Sequence, residues 1–329
     1  MKTKRLIFAF VGSTIVLLIA IVLAIAYGSV KVEFVKVFQS ILDPSVLTDT
    51  QFEIVRNIRL PRVILAVFVG SSLATAGALL QAVMQNPLAD PGIIGVSSGA
   101  SLAIMLILLV FPVYAPFLPI IAFFGGILAT IFIYLLSWKD GINTLSLLLA
   151  GIAVNAMLGG ATSLISVLNS EKIQSVILWI NGTLAGRTWA DIRIVVPYTL
   201  IGLIASVFCI RSANILLLGD EKASNLGINI HRTRVILSMV AAFLAGISTA
   251  AVGVIGFIGL VVPHISRMLV GSDYKVLLPF CIINGGSFLL MTDTVARIIA
   301  SPIELPVGTI MAIIGGPFFL YLLRKKRFS

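Results

Sequence analysis

Charged positions along this chain do not recur at the spacing of a half-buried strand or helix. They bunch at the edges of long uncharged blocks. Leu6–Tyr27 and Val63–Ala89 are two such blocks, each long enough for the ~20 apolar residues that cross a bilayer as a helix. Pro91–Trp138 is uncharged for long enough to cross twice, and Pro112, Pro116 and Pro119 mark the turn between the passes, because proline lacks an amide donor and clashes with the preceding helical turn. Gly141–Ser170, Ile194–Ile210, Val276–Thr292 and Leu305–Leu323 each predict one more span. Val235–Ile265 reads as one helix or as two broken at GVIGFIG, Gly253–Gly259. Parity decides. Lys2, Lys4 and Arg5 open the chain, and Arg324, Lys325, Lys326 and Arg327 close it. Lys and Arg beside a span favour the cytoplasm, and two cytoplasmic termini require an even number. The expectation is an all-α membrane protein of ten transmembrane helices, one domain over residues 1–329, with its longest cytoplasmic loop at about 211–234.

Composition agrees. Hydrophobic residues make up 59% of the 329 and charged residues 11%, well short of the roughly 25% that a water-facing surface carries. The net charge of +10 reads as membrane topology, and no nucleic-acid partner is expected. The exception to the positive-inside pattern is Arg56, Arg59 and Arg62, which this topology places outside. Ala24-Ile25-Ala26 resembles a signal-cleavage site, but the apolar run before it is too long for a signal core, so an uncleaved helix is expected. Cys209 and Cys281 lie in apolar runs and read as buried fillers.

Candidate chemistry is sparse. The dipeptide Gly-Lys, and with it any GxxxxGK[ST] phosphate loop, does not occur. No HExxH and no Ser–His–Asp set is evident, and the two histidines are His231 and His264. GVIGFIG has neither the preceding soluble strand nor the following acid of a dinucleotide fingerprint. Neither enzymatic activity nor a cofactor is expected. Carboxylates deep within spans are nearly absent, Asp293 near a span end being the one candidate. That argues against an ion-coupled transporter, which usually holds acids at the midplane.

Four blocks carry a resemblance. RLPR (Arg59–Arg62) leads through a helix of small residues to QNPLADPG (Gln85–Gly92) and GVSSGAS (Gly95–Ser101). LLLGDEKASNLGI (Leu216–Ile228) lies in the long loop. GFIGLVVPHISR (Gly256–Arg267) precedes GSD, and TDTVAR (Thr292–Arg297) precedes ELPVG and GGPFFLYLL. In this order, from about Arg56 to Leu323, they resemble the FecCD-type permeases of ABC importers for iron siderophores, haem and cobalamin.

The resemblance implies a type II ABC importer permease in a bacterial cytoplasmic membrane. Its partners would be a second permease subunit, two cytoplasmic ATPase subunits and an external substrate-binding protein. It implies ATPase coupling through Glu221, Ala223, Leu226 and Gly227, where the residues alone also fit a plain capped connector. It implies that Arg59, Arg62 and Arg297 receive acids of the binding protein, a role suited to the bidentate guanidinium; headgroup snorkelling is the alternative. It places Asn155, Gly159 and Ser163, on one face of the fifth span, beside the pathway, where small-residue packing is the alternative. The segment Ile173–Ala185, too short to span, is expected as an external gate. Ferric siderophore is the expected cargo, with cobalamin or haem as alternatives and an ion-coupled secondary transporter as the competing class.

Overall fold

In a computed structural model, the structure describes residues 2–28, 49–138, 143–172, 174–301 and 303–326. Among these residues there is no β-strand. Among the described residues, seven helices are long and apolar enough to cross a membrane, and three apolar helices, Val96–Val110, Ile258–Val270 and Val307–Tyr321, are shorter. Each expected span falls on one of them. The terminal Arg327 used in the parity argument, and Ile173 of the gate segment, lie outside the described residues.

The helices that build the body are α1 (Lys2–Ala26), α2 (Leu60–Val83), α3 (Val96–Met105), α4 (Leu118–Ser137), α5 (Thr144–Leu168), α6 (Gln174–Ile180) and α7 (Trp189–Phe208). Then come α8 (Ile210–Leu216), α9 (Asp220–Asn225), α10 (Ile230–Val252), α11 (Ile258–Val270), α12 (Tyr274–Ile298) and α13 (Val307–Lys326).

Helix α2 is the axle. It packs against α12, α10, α11 and α7, and its residues are buried almost throughout. Small residues allow this, since backbones in lipid approach closely only where side chains are short. A Cβ on Gly70 would strike the carbonyl of Gly285 in α12, and one on Gly77 would strike Gly259 in α11. Helices α1 and α5 lie at the periphery and turn most of their apolar surface outward, an arrangement stable in lipid and not in water.

The helix ends follow the sequence. Asn143, Asn229 and Asp273 cap α5, α10 and α12 by accepting from Leu145 N (2.8 Å), Arg232 N (2.9 Å) and Lys275 N (2.9 Å). Between α2 and α3, Asp90 accepts from Gly92 N at 2.8 Å and opens the 3₁₀ turn Pro91–Ile94. The break expected in GVIGFIG is present: α10 ends at Val252, α11 begins at Ile258, and Gly253 has φ +81°. A side chain at Gly253 would meet the Trp179 carbonyl, because α6 lies against the break and Thr183 N donates to Val252 O at 2.8 Å.

Candidate functional site

The three candidate docking arginines converge at one end of the bundle, where α2 begins and α12 ends. They are buried rather than presented. Arg62 donates through Nε to Asp293 Oδ2 (2.9 Å), through Nη2 to Asp293 Oδ1 (2.9 Å) and through Nη1 to Glu304 Oε2 (2.6 Å). Arg297, one helical turn beyond Asp293, lies 3.4 Å from its Oδ2 and donates to Ala24 O at 3.1 Å. Arg59 donates to Ala26 O at 3.0 Å and also to Ile25 O. The last carbonyls of α1, left without helical partners, are thus taken up by Arg59 and Arg297. Asp293 is 1% exposed and Glu304, the most accessible member, has 36% of its side chain exposed. Glu304 lies just before the last span, and its carboxylate faces Arg62. Among these five side chains positive charge exceeds negative by one.

The opposite end carries α9 and its flanks. Gly219 precedes α9 and Gly227 follows it, with φ +92° and +77°, positive angles that glycine adopts at little steric cost. Glu221 and Gly227 are exposed. Ala223 is completely buried, facing its own chain, so its small side chain seats α9 on the bundle. Leu217, Leu218 and Leu226 are 39%, 51% and 60% exposed. Beside them, Asn214 of α8 donates to Asp273 Oδ1 at 2.8 Å and accepts from Tyr274 N at 2.9 Å, tying α8 to the start of α12. Two hydrogen bonds, from the Lys275 amide first and from Asn214 second, hold the Asp273 carboxyl below its usual range.

The three pathway candidates on α5 separate. Asn155 is partly buried, bonded with Ser98 of α3 and donating to Gly92 O at 3.0 Å, so it fastens α5 to the 3₁₀ turn. Gly151 is pressed on Ile93 just below. Gly159 and Ser163, further along the same face, are exposed, and a Cβ added at Gly159 or Gly160 would meet no neighbouring element within 4 Å. His264 packs edge-on to Phe318 of α13, with ring centroids 6.3 Å apart. Among the described residues no group of His, Cys, Asp and Glu is arranged to hold a metal ion.

Sequence reasoning named the arginines and missed their carboxylates. Asp293 and Glu304 lie 231 and 242 positions from Arg62, and no local pattern announces such a pairing. The one available signal was the rarity of an acid inside a span, which makes a partner of opposite charge obligatory.

Known proteins agree with this architecture. The chain is 42% identical over 274 residues to the Fe(3+)-citrate import system permease protein YfmD of Bacillus subtilis, covering 83% of this chain and 82% of that one. It is 42% identical to the cobalamin import system permease protein BtuC of Halobacterium salinarum, over 84% of this chain and 75% of the relative. It is 38% identical to the hemin transport system permease protein HmuU of Yersinia pestis, over 94% and 95%. A solved inward-facing conformation of a metal-chelate type ABC transporter superposes with a TM-score of 0.85 at 29% identity, covering 97% of this chain and 99% of that one. The FecCD transport family matches residues 16–325. The chain therefore belongs to the FecCD transport family and is a multi-pass membrane permease of the ABC-importer type, a transport subunit rather than an enzyme.

Proposed function

We propose that this chain is one membrane subunit of an importer for ferric siderophores, driven by ATP hydrolysis in separate cytoplasmic subunits. The observation that carries the reading is the surface around α9. Leu217, Leu218 and Leu226 project beside Glu221 at the end of the bundle whose flanking Arg and Lys favour the cytoplasm. Apolar side chains on a water-facing loop mark a surface that another protein covers. Glu221 and Leu226 would contact the ATPase, while Ala223 and Gly227 shape the helix that does so. Both termini would then be cytoplasmic.

At the other end, the excess positive charge of the arginine cluster supports docking of an external binding protein through Arg59, Arg62 and Arg297. Because the guanidiniums are already engaged, an incoming carboxylate would displace Glu304, the accessible member, rather than Asp293. On α5, Gly159 and Ser163 would line the pathway or meet the second permease, and Asn155 would serve as their strut. Helix α6, seated on the α10–α11 break, would act as the external gate.

Cargo is argued by relation. Relatives of similar identity carry names for ferric citrate, hemin and cobalamin, and cobalamin is the second reading because its permease is as similar as that for ferric citrate. The test is co-purification of the ATPase with this chain, followed by competitive uptake of a ferric siderophore, haemin and cobalamin into vesicles holding the complete complex. Uptake of iron chelate driven by ATP is expected. Uptake of cobalamin alone would transfer the assignment, and uptake on an ion gradient without ATPase subunits would end it.

A further inference from the structure

We infer that Gln85, Asp220 and Arg234 form a mechanical joint that carries movement of α9 into α2 and α10. The inference rests on the reading of α9 as the element the ATPase grips.

Helix α9 has six residues. A helix so short has no stability of its own, so its direction is imposed by contacts. Its first residue, Asp220, is held from two sides. Arg234 Nη2 donates to both carboxylate oxygens, at 2.9 and 3.0 Å. Gln85 Nε2 donates to Asp220 Oδ1 at 2.8 Å and to Leu216 O, the last carbonyl of α8, at 2.9 Å. Arg234 is buried within the first turns of α10, and Gln85 lies just past the end of α2. Asp220 and Arg234 lie on consecutive helices, 14 positions apart, while Gln85 is 135 positions from Asp220.

Gln85 has φ +49°, a left-handed conformation that residues other than glycine and asparagine seldom adopt. The same backbone lets the Gln85 amide bridge α8 and α9. One turn earlier on α2, Gln81 accepts from Arg267 of α11 and donates to Gly259 O at 3.2 Å, and Tyr274 of α12 donates to Ala78 O. The last turns of α2 are therefore locked to α11 and α12 while their tip holds α9. A displacement of α9 reaches the most deeply packed helix through hydrogen bonds to charged groups, which are short and directional. The flanking segments at Gly219 and Gly227 could bend without transmitting it.

The joint predicts uncoupling. The complete complex is reconstituted in liposomes, and ATP hydrolysis and radioiron uptake from ferric citrate and from a ferric trihydroxamate are measured on the same vesicles. In Arg234→Gln and Asp220→Asn the ATPase subunits still co-purify and ATP is still hydrolysed, but iron taken up per ATP falls roughly tenfold. The exchange variant Asp220→Arg with Arg234→Asp recovers part of that loss. Gln85→Ala, which leaves no buried charge behind, carries the same expectation if the charge variants do not accumulate. An unchanged iron-to-ATP ratio in Gln85→Ala and Arg234→Gln overturns the joint. Failure of the coupling reading shows differently: Leu218→Asp with Leu226→Asp would then leave ATPase co-purification intact.

Discussion

The guanidinium of Arg62 is held by two carboxylates in different settings, which fixes how each substitution behaves. Asp293 is sealed off, so Asp293→Asn strands Arg62 and Arg297 beside a neutral amide. Breaking a buried pair by removing one partner costs about 3–5 kcal/mol, and thermal unfolding in detergent should show a loss of that order. Replacing the pair together, Arg62→Met with Asp293→Leu, should recover only part of it, because Arg297 stays buried without its carboxylate. Glu304→Gln should lose about 1 kcal/mol or less, since solvent already screens that carboxylate. At the opposite end, Asp273 makes a pH-dependent contribution. Its folded-state pKa is depressed, first by the Lys275 amide and then by Asn214, so its stabilisation is present above the ordinary aspartate range and is lost only as pH falls through the depressed value. The gap in unfolding temperature between wild type and Asp273→Ala should therefore persist to mildly acidic pH and close below it. Arg59 and Arg62 stood out in the sequence as exceptions to the positive-inside pattern, whereas the cap at Asp273 went unread although it precedes an apolar run. The Arg62–Glu304 contact was not legible, because it depends on how α2 and the loop after α12 meet in space.

Helix α2 shows how the elements were chosen by side-chain size. Gly70 and Gly77 face backbone, not side chains that could yield. Gly77→Val should prevent accumulation of folded protein, since overpacking a rigid contact costs at least about 1–3 kcal/mol. The control is Gly12→Val on α1, where no atom lies within 4 Å, and expression there should be unchanged. The small residues of the second span, visible in the sequence between RLPR and QNPLADPG, are what this packing requires. Spans were legible because uncharged length and proline punctuation are properties of the segment itself. The break at Gly253–Phe257 followed from glycine spacing together with parity. What escaped was departure from regular α geometry. Ile54–Arg59 and Leu106–Val110 are π-helical, and α3 gives way to the second of them at Met105. Such wider turns arise from how neighbouring helices crowd a segment, and residues like IVRNIR and LILLV carry no local mark of it.

At the scale of the whole molecule, α5 poses a question that a single subunit does not answer. Gly159 and Gly160 sit in adjacent positions of a long helix with open space around them, and Gly316 of α13 is similarly bare. Glycine within a helix is worth about 0.5–1 kcal/mol less than alanine, and lipid gives nothing back for the missing methyl group, since acyl chains adapt to either surface. Such glycines are stabilising only where another backbone comes close. An apposed protein surface, the second permease subunit of the proposed assembly, would account for them. The two explanations predict opposite results for Gly159→Leu. If α5 faces lipid, the added side chain is harmless to unfolding, assembly and uptake alike. If α5 faces a second subunit, the purified single chain should unfold as before or slightly later, because the site is open within one subunit. The mass of the complex measured by light scattering should fall toward the monomer, and ATP-driven uptake should fall with it. Gly12→Leu on the outward face of α1 separates a general effect of leucine from an effect at this face. A wild-type mass and uptake rate in Gly159→Leu would assign the exposed glycines to lipid and remove α5 from the subunit interface.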